Sequence, residues 1–212
     1  MPNPPSASEA LQRLRDGNLR FAHNCRQADK LLTHQQRAAL TAQQTPSAII
    51  IGCSDSRVPA ENHNDPAQPD LLVIRVAVNI LDPTQVGSVE FAVSRYHTRL
   101  VVVLGHSHCG AVTATIESLL DGDNSESCNI DSIVKRVKPA VAGFLGTELR
   151  HDRQALHRAA VRANVRASAD HLRHGSLIIE SLVEGHGLLV IGAEYDLETG
   201  LVDFFDGVPD LF

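Results

Sequence analysis

Four short runs of apolar residues stand out along the chain, each rich in Val, Ile or Leu and bounded by turn residues. The runs cover residues 48–52, 71–76, 100–104 and 188–192. Apolar and polar positions do not alternate within them, which is typical of parallel strands that are covered on both faces. A fifth strand, predicted at about 201–205, follows a turn at 196–200 and should pair antiparallel with 188–195.

Helical spacing of apolar residues occupies the stretches around these runs. The predicted helices cover 8–21 with Ser8 as a candidate N-cap, 33–44, 84–97, 111–120, about 130–145, and 150–174. The polar tract 121–129 is predicted to be a loop. Strands that alternate with helices indicate right-handed crossovers. The pattern therefore predicts an α/β fold, with a central, mostly parallel β-sheet of four parallel strands plus an antiparallel C-terminal strand, flanked by helices.

Composition narrows the class of protein. The chain has 212 residues and a net charge of −6, which leaves no basic surface for nucleic acid or anionic lipid. Neither a run of roughly 18 apolar residues nor a secretory leader is found, so no membrane partner is expected and the predicted location is cytoplasmic. We expect a single domain over 1–212, with a helical arm at 1–45 and an α/β core at 46–212. Four cysteines are too few for a disulfide framework, and thiols in a reducing compartment are more often metal ligands or nucleophiles.

Two motifs follow directly after two of the predicted strands. Cys53 begins the motif CSDSRV, and His106 begins the motif HSHCG that contains Cys109. Because functional crevices lie beyond the carboxyl ends of parallel strands, both motifs should meet at one place. Taken singly, these residues could be two buried thiols and a core histidine. Together, two thiolates and an imidazole suit zinc and leave its fourth position open, as in catalytic sites.

Asp55 and Arg57 form the next informative pair. At this spacing they could form a bidentate ion pair that orients the carboxylate, although a structural ion pair is the alternative. The carboxylate could accept a hydrogen bond from a metal-bound water or bind the metal itself. Zinc lowers the pKa of bound water from about 15.7 to about 7, and the resulting hydroxide attacks small electrophilic carbons such as that of carbon dioxide.

These motifs resemble those of the β-class carbonic anhydrases over nearly the whole chain. The segments that carry the resemblance are EALQRLRDGNLRF, CSDSRVP, GHSHCGAV and, at 190–205, VIGAEYDLETGLVDFF. The resemblance implies reversible hydration of carbon dioxide to bicarbonate, zinc as cofactor and a homodimer or higher homo-oligomer. It implies that Cys53, His106 and Cys109 bind zinc, that Asp55 and Arg57 form an orienting dyad, and that Asp55 is a conditional fourth ligand.

The segment 58–79 departs from the family pattern. It reads VPAENHNDPAQPDLLVIRVAVN where relatives often read VPPEIIFDQGLGDLFVIRVAGN. An apolar trio is replaced by Asn62, His63 and Asn64, and a substrate-contacting glutamine is replaced by Pro66. We therefore expect an intact metal site with a modified substrate pocket. The expected pocket residues are Val78, which replaces a glycine, Asn79 and Gly110.

Several alternatives remain open from the sequence. His63 is a candidate proton shuttle or a loop histidine without a role. Carbonyl sulfide or carbon disulfide hydrolysis, or a non-catalytic relative that binds bicarbonate or a protein, are alternatives to carbon dioxide hydration. A redox role for Cys53 and Cys109 is disfavoured because they do not form a CxxC pair. The backbone should approach other elements closely at Gly105 and Gly110. Four histidines of the 150–174 region are expected to face solvent: His151, His157, His171 and His174.

Overall fold

The computed structural model describes residues 4–25, 41, 44–58, 60, 71–122 and 127–209. Its sheet contains strands β1 (Ala48–Cys53), β2 (Leu71–Val76), β3 (Leu100–His106), β4 (Leu189–Tyr195) and β5 (Val202–Asp206). Their order is β2-β1-β3-β4-β5. The first four strands pair in parallel, and β5 pairs antiparallel with β4. The predicted α/β architecture is confirmed, and β3 and β4 each extend further toward the carboxyl end than the apolar runs indicated.

Six α-helices flank this sheet in the described part of the chain. They are α1 (Ala7–Ala22), α2 (Pro83–Arg95), α3 (Gly110–Asp121), α4 (Cys128–Val141), α5 (Arg153–His174) and α6 (Leu177–Gly185). Two short 3-10 helices, Ala142–Gly146 and Glu148–His151, connect α4 to α5. None of the described helices is long and apolar enough to cross a membrane. The predicted helix at 33–44 lies almost entirely outside the described residues.

Helix boundaries differ from the predictions wherever a polar side chain caps the helix. Ser8 is not the N-cap of α1, because Ser6 accepts a hydrogen bond from the N–H of Glu9 while the Glu9 carboxylate accepts one from the N–H of Ser6. Helix α5 begins at 153 rather than 150, because the Asp152 carboxylate accepts the N–H groups of Gln154 and Ala155.

The polar tract 121–129 is not a continuous loop. Asp121 ends α3, and Ser127 caps α4 by accepting the N–H of Ile130, so that Cys128 is already helical. Residues 123–126 are not described. Helix α4 then ends at 141 instead of 145, where the chain tightens into the first 3-10 helix.

Helix α6 was not predicted. Two residues, Gly175 and Ser176, separate it from α5, and Ser176 caps the new helix by accepting the N–H of Ile179. The sequence LIIESLVEG is so short and apolar that helical periodicity gives little signal.

Every residue of β1 and β3 is buried, as expected for central parallel strands. One face of the sheet packs against α2, α5 and α6, and the other packs against α1. Close approach is confirmed at Gly105, where an added Cβ would lie 2.6 Å from a methyl group of Val165 in α5. The same prediction is wrong for Gly110, where no atom of the described residues lies within 4 Å of an added Cβ. The carboxyl ends of β1 and β3 are thus fixed by the core on both faces.

Candidate metal centre

Three soft and borderline ligand side chains converge where β1 and β3 end. Cys53 is the last residue of β1, His106 is the last residue of β3, and Cys109 is the N-cap of α3. Their ligand atoms all lie within 4.8 Å of one another, and all three residues are buried. The sheet topology therefore brings together two motifs that are 53 residues apart in sequence, counted from Cys53 to His106.

The orientation of the His106 ring leaves one nitrogen available as a ligand. Nδ1 lies 2.8 Å from the carbonyl oxygen of Ser107, an arrangement that places the ring proton on Nδ1. Nε2 is then a buried acceptor, and no hydrogen-bond partner for it is found among the described residues. A buried nitrogen without a partner is costly. A cation held jointly with the two sulfurs would satisfy it, and the donor set of two Cys and one His fits zinc.

The two sulfurs influence each other's protonation. Contact with the Cys109 thiol is the largest effect that lowers the pKa of Cys53, and His106 and backbone N–H groups add to it. Contact with Cys53 and burial raise the pKa of Cys109, and the N–H groups of Val112 and Ala111 offset only part of this rise. Two adjacent thiolates are therefore unfavourable until a positive charge neutralises them. This is the electrostatic character of a cation site.

Asp55 lies next to this group and forms an ion pair with Arg57. The guanidinium donates through Nε to Oδ1 at 3.0 Å and through Nη2 to Oδ2 at 2.7 Å, and the backbone N–H of Arg57 also donates to Oδ1. These hydrogen bonds hold the pKa of Asp55 well below its usual range. The predicted pair is present, with the carboxylate directed to Arg57. Its role as a conditional fourth ligand stays a prediction.

The carboxyl end of β2 holds the backbone that carries Cys53 and Asp55. Arg75 donates through Nε to the carbonyl oxygen of Cys53 at 2.9 Å and through Nη2 to that of Asp55 at 2.7 Å. The N–H of Ser54 donates to the carbonyl oxygen of Val76 at 2.7 Å. No role was predicted for Arg75 from the sequence. An arginine in an otherwise apolar strand is the signal that could have assigned it a role.

His157 of α5 was expected to face solvent, and this prediction is wrong. The residue is half-buried, its Nε2 lies 3.2 Å from the carbonyl oxygen of Cys109, and its ring stacks on that of His108. Burial lowers the pKa of His157, which favours the neutral ring. Leu156 and Ala160 are fully buried, so helical spacing could have placed His157 beside the core.

The predicted pocket residues occupy different environments. Val78 and Asn79 are buried in the turn after β2, whereas Gly110 is exposed at the start of α3. Nδ2 of Asn79 is a buried donor without a partner among the residues described. His63, together with Asn62, Asn64 and Pro66, falls in the stretch 61–70, which lies outside the described residues.

Comparison with known proteins shows which protein family this chain resembles. The sequence model of the carbonic anhydrase family matches residues 48–202. This span includes the three candidate ligands and the Asp55–Arg57 pair. A solved tetrameric β-carbonic anhydrase from Sordaria macrospora has the same fold, with a TM-score of 0.69, 23% identity, and coverage of 93% of this chain and 97% of that one. The chain belongs to the β-class carbonic anhydrase family.

Bacterial carbonic anhydrases match over nearly their whole length. Carbonic anhydrase 2 of Mycobacterium tuberculosis is 35% identical over 210 residues, which cover 99% of this chain and 96% of that protein. The carbonic anhydrase of Mycolicibacterium smegmatis is 34% identical over 218 residues, with coverage of 99% and 97%. The family resemblance inferred from the sequence is confirmed.

Proposed function

We propose that this chain is a carbonate dehydratase that hydrates carbon dioxide reversibly to bicarbonate, with zinc held by Cys53, His106 and Cys109. The observation that carries the proposal is the buried group of two sulfurs and one unpartnered imidazole nitrogen within 4.8 Å. Membership of the carbonic anhydrase family supports the choice of reaction. When bound, zinc would supply the Lewis-acid chemistry that makes water nucleophilic near neutral pH.

Asp55 would orient the nucleophile in this reaction. Its carboxylate is ionised because Arg57 lowers its pKa, and an ionised carboxylate can only accept hydrogen bonds. It therefore favours a nucleophile that carries a proton. Arg57 also donates to the carbonyl oxygen of His108 at 3.1 Å, which ties the motif after β1 to the motif after β3. The ion pair would thus hold the Asp55 carboxylate, as a hydrogen-bond acceptor, at a fixed position relative to the three candidate zinc ligands.

The substrate wall would be formed by Val78, Asn79 and Gly110. Carbon dioxide is small and apolar, and the isopropyl group of Val78, buried beside Cys53, would make this part of the wall apolar. Nδ2 of Asn79 would offer a hydrogen-bond donor to bicarbonate oxygen. An open space beside Gly110 is consistent with access at this point. His63 remains a candidate proton shuttle on the sequence argument alone.

The direct test combines metal analysis with a stopped-flow hydration assay on the purified full chain. We expect close to one zinc per chain and acceleration of hydration that disappears after chelation and returns when zinc is restored. Zinc without acceleration would leave a non-catalytic binding protein. Activity that survives complete removal of the metal would contradict the proposal.

Hydrolysis of carbonyl sulfide or carbon disulfide is a second candidate function. The changed wall, in which Val78 stands at a position where the family often has glycine, leaves the substrate open, because residue identities there do not separate this reaction from carbon dioxide hydration. Both reactions begin with attack on a linear, electrophilic carbon, so the same metal group could serve either. Release of hydrogen sulfide, measured beside carbon dioxide hydration with the same preparation, separates the two.

We also propose that the chain assembles as a homodimer or larger oligomer. The Sordaria macrospora relatives are tetrameric, and this chain exposes the apolar side chains of Phe91 on α2 and Leu177 on α6. Light scattering coupled to size-exclusion chromatography tests the assembly. The cytoplasmic location and the organisation as one domain remain proposals, for which cell fractionation and limited proteolysis are the measurements.

A further inference from the structure

Val78 adopts a backbone conformation that valine rarely takes. Its φ angle is +57°, in the left-handed region, where the Cβ atom crowds the backbone. A β-branched side chain makes this crowding worse, and glycine would avoid it at no steric cost. Four non-glycine residues of the described chain have positive φ: Asn24, Val78, His97 and His108. Val78 is the β-branched member of this group, so its strain requires a compensating gain.

The turn directs the N–H of Val78 at the sulfur of Cys53. The nitrogen lies 3.3 Å from Sγ, and the N–H of Asp55 lies 3.4 Å from the same sulfur. The sulfur is thus held by two backbone donors, one from its own loop and one from the end of β2.

The side chain of Val78 also contributes, because it is only 1% exposed. It belongs to the buried cluster that contains Cys53 and Cys109, together with Val112 of α3. Packing on this side prevents the turn from relaxing away from Cys53. A glycine would have no side chain to anchor the same backbone, and it would have free access to other conformations.

We propose that Val78 is a positioning residue that fixes its own N–H on the Cys53 sulfur and fills the volume beside it, so that the sulfur is held in place for a cation. The proposal rests on the proposed zinc site, and it deepens that site by adding a residue outside the ligand set. The strain at Val78 is offset by the buried packing of its side chain. Groups that orient metal ligands in this way affect cation affinity although they do not touch the cation.

The first test compares zinc affinity, measured by chelator competition at fixed pH, for Val78→Gly, Val78→Ala and His97→Gly. His97 has the same φ of +57° but lies before β3, at the opposite end from Cys53, so it controls for release of backbone strain alone. We expect Val78→Gly to weaken zinc binding by about 10- to 100-fold, in the range typical of residues that orient ligands. The zinc affinity of Val78→Ala should lie between those of Val78→Gly and the wild type. The zinc affinity of His97→Gly should equal that of the wild type.

The second test needs no variant and therefore no assumption about folding. In the wild-type chain loaded with NMR-active cadmium, the amide proton of Val78 should show scalar coupling to the metal through the N–H···S hydrogen bond. The amide of His97 should show none.

Absence of that coupling at Val78 would overturn the proposal. Unchanged zinc affinity in Val78→Gly, or an equal loss in His97→Gly, would do the same. A wild-type chain that binds neither zinc nor cadmium would instead overturn the proposed function on which this inference rests, so the two failures are distinguishable.

Discussion

The two ends of β3 carry loops with the same uncommon backbone conformation and very different surroundings. His97, three residues before the strand, has φ +57°, and His108, two residues after it, has φ +56°. Both side chains are exposed. A left-handed residue therefore does not mark a functional loop by itself.

At the amino end, the neighbours of His97 serve the fold. Thr98 donates through Oγ1 to the carbonyl oxygen of Pro46 at 2.9 Å, and the carbonyl oxygen of Arg99 accepts the N–H of Leu189. These hydrogen bonds align β3 with the starts of β1 and β4. Each uses a backbone carbonyl oxygen as acceptor, and neither involves a thiolate or an imidazole, the ligands that zinc favours.

At the carboxyl end, the neighbours of His108 belong to the metal centre. Its carbonyl oxygen accepts a hydrogen bond from Arg57, and its ring stacks on His157 at a centroid distance of 6.4 Å. Helix α3 starts immediately afterwards, so its free N–H groups face Cys109. The comparison shows that the candidate ligands lie at the carboxyl ends of the strands and not at the amino ends. Helix N-termini, with their free N–H groups, follow the carboxyl ends of parallel strands.

The largest expected effect comes from removing a candidate ligand at the carboxyl end. Cys109→Ala should lower zinc affinity by at least about 100-fold, more than the loss of an outer hydrogen bond, and should reduce hydration to background. The matched control is Cys128→Ala, because Cys128 is exposed at the start of α4. Metal content and stopped-flow rates of both variants provide the measurement. Equal zinc binding by the two variants would contradict the assignment.

A smaller effect is expected when the ligands remain and the orienting carboxylate is changed. Asp55→Asn keeps the shape but adds an N–H donor and loses the charge that Arg57 binds. We expect full zinc content and a loss of turnover of about 100-fold, in the range of groups that handle protons in transition states. Asp170→Asn, at an exposed carboxylate on α5, is the control. Retained turnover in Asp55→Asn would favour a binding role over catalysis.

A third and smaller effect is expected on the pH dependence of stability, compared between the wild type and Asp55→Asn. Because Arg57 lowers the pKa of Asp55, the ion pair stabilises the fold at pH values above about 3.9, the ordinary pKa of aspartate. This contribution is lost as the pH falls from that value through the lowered pKa. Urea midpoints of the wild type and Asp55→Asn should therefore converge on acidification. The difference should be small, because the Arg57 side chain is 54% exposed. A gap that widens toward low pH would contradict this sign.

The smallest expected effect separates the two left-handed histidines. His97→Gly relieves backbone strain, and no ring contact of His97 is found within the described part of the chain, so we expect stabilisation of about 1 kcal/mol or less. His108→Gly relieves the same strain but removes the stacking on His157, so its gain should be smaller or reversed. Thermal midpoints of both variants measure this difference. Equal gains would show that the ring contact contributes little.

Features that depend only on neighbouring residues were predicted from the sequence, and features that depend on contacts were predicted less well. Runs of Val, Ile and Leu predicted the four parallel strands, because a strand covered on both faces must be apolar whatever surrounds it, and the turn at 196–200 predicted the fifth. Caps were predicted less well: choosing Ser6 over Ser8 depends on which side chain reaches Glu9. Helix α6 was missed because nine residues give too few turns for a periodic pattern.

The sequence by itself determined the family, the order of the strands along the chain and the identity of Cys53, His106 and Cys109 as one candidate group. Each of these depends on residue type, spacing and the rule that parallel strands share a carboxyl edge. The tertiary structure alone decided that His157 Nε2 lies against the carbonyl oxygen of Cys109 and that Val78 directs its N–H at Cys53. These contacts join residues from different elements or depend on backbone angles. They are fixed only when the core sets the distance between strands and helices.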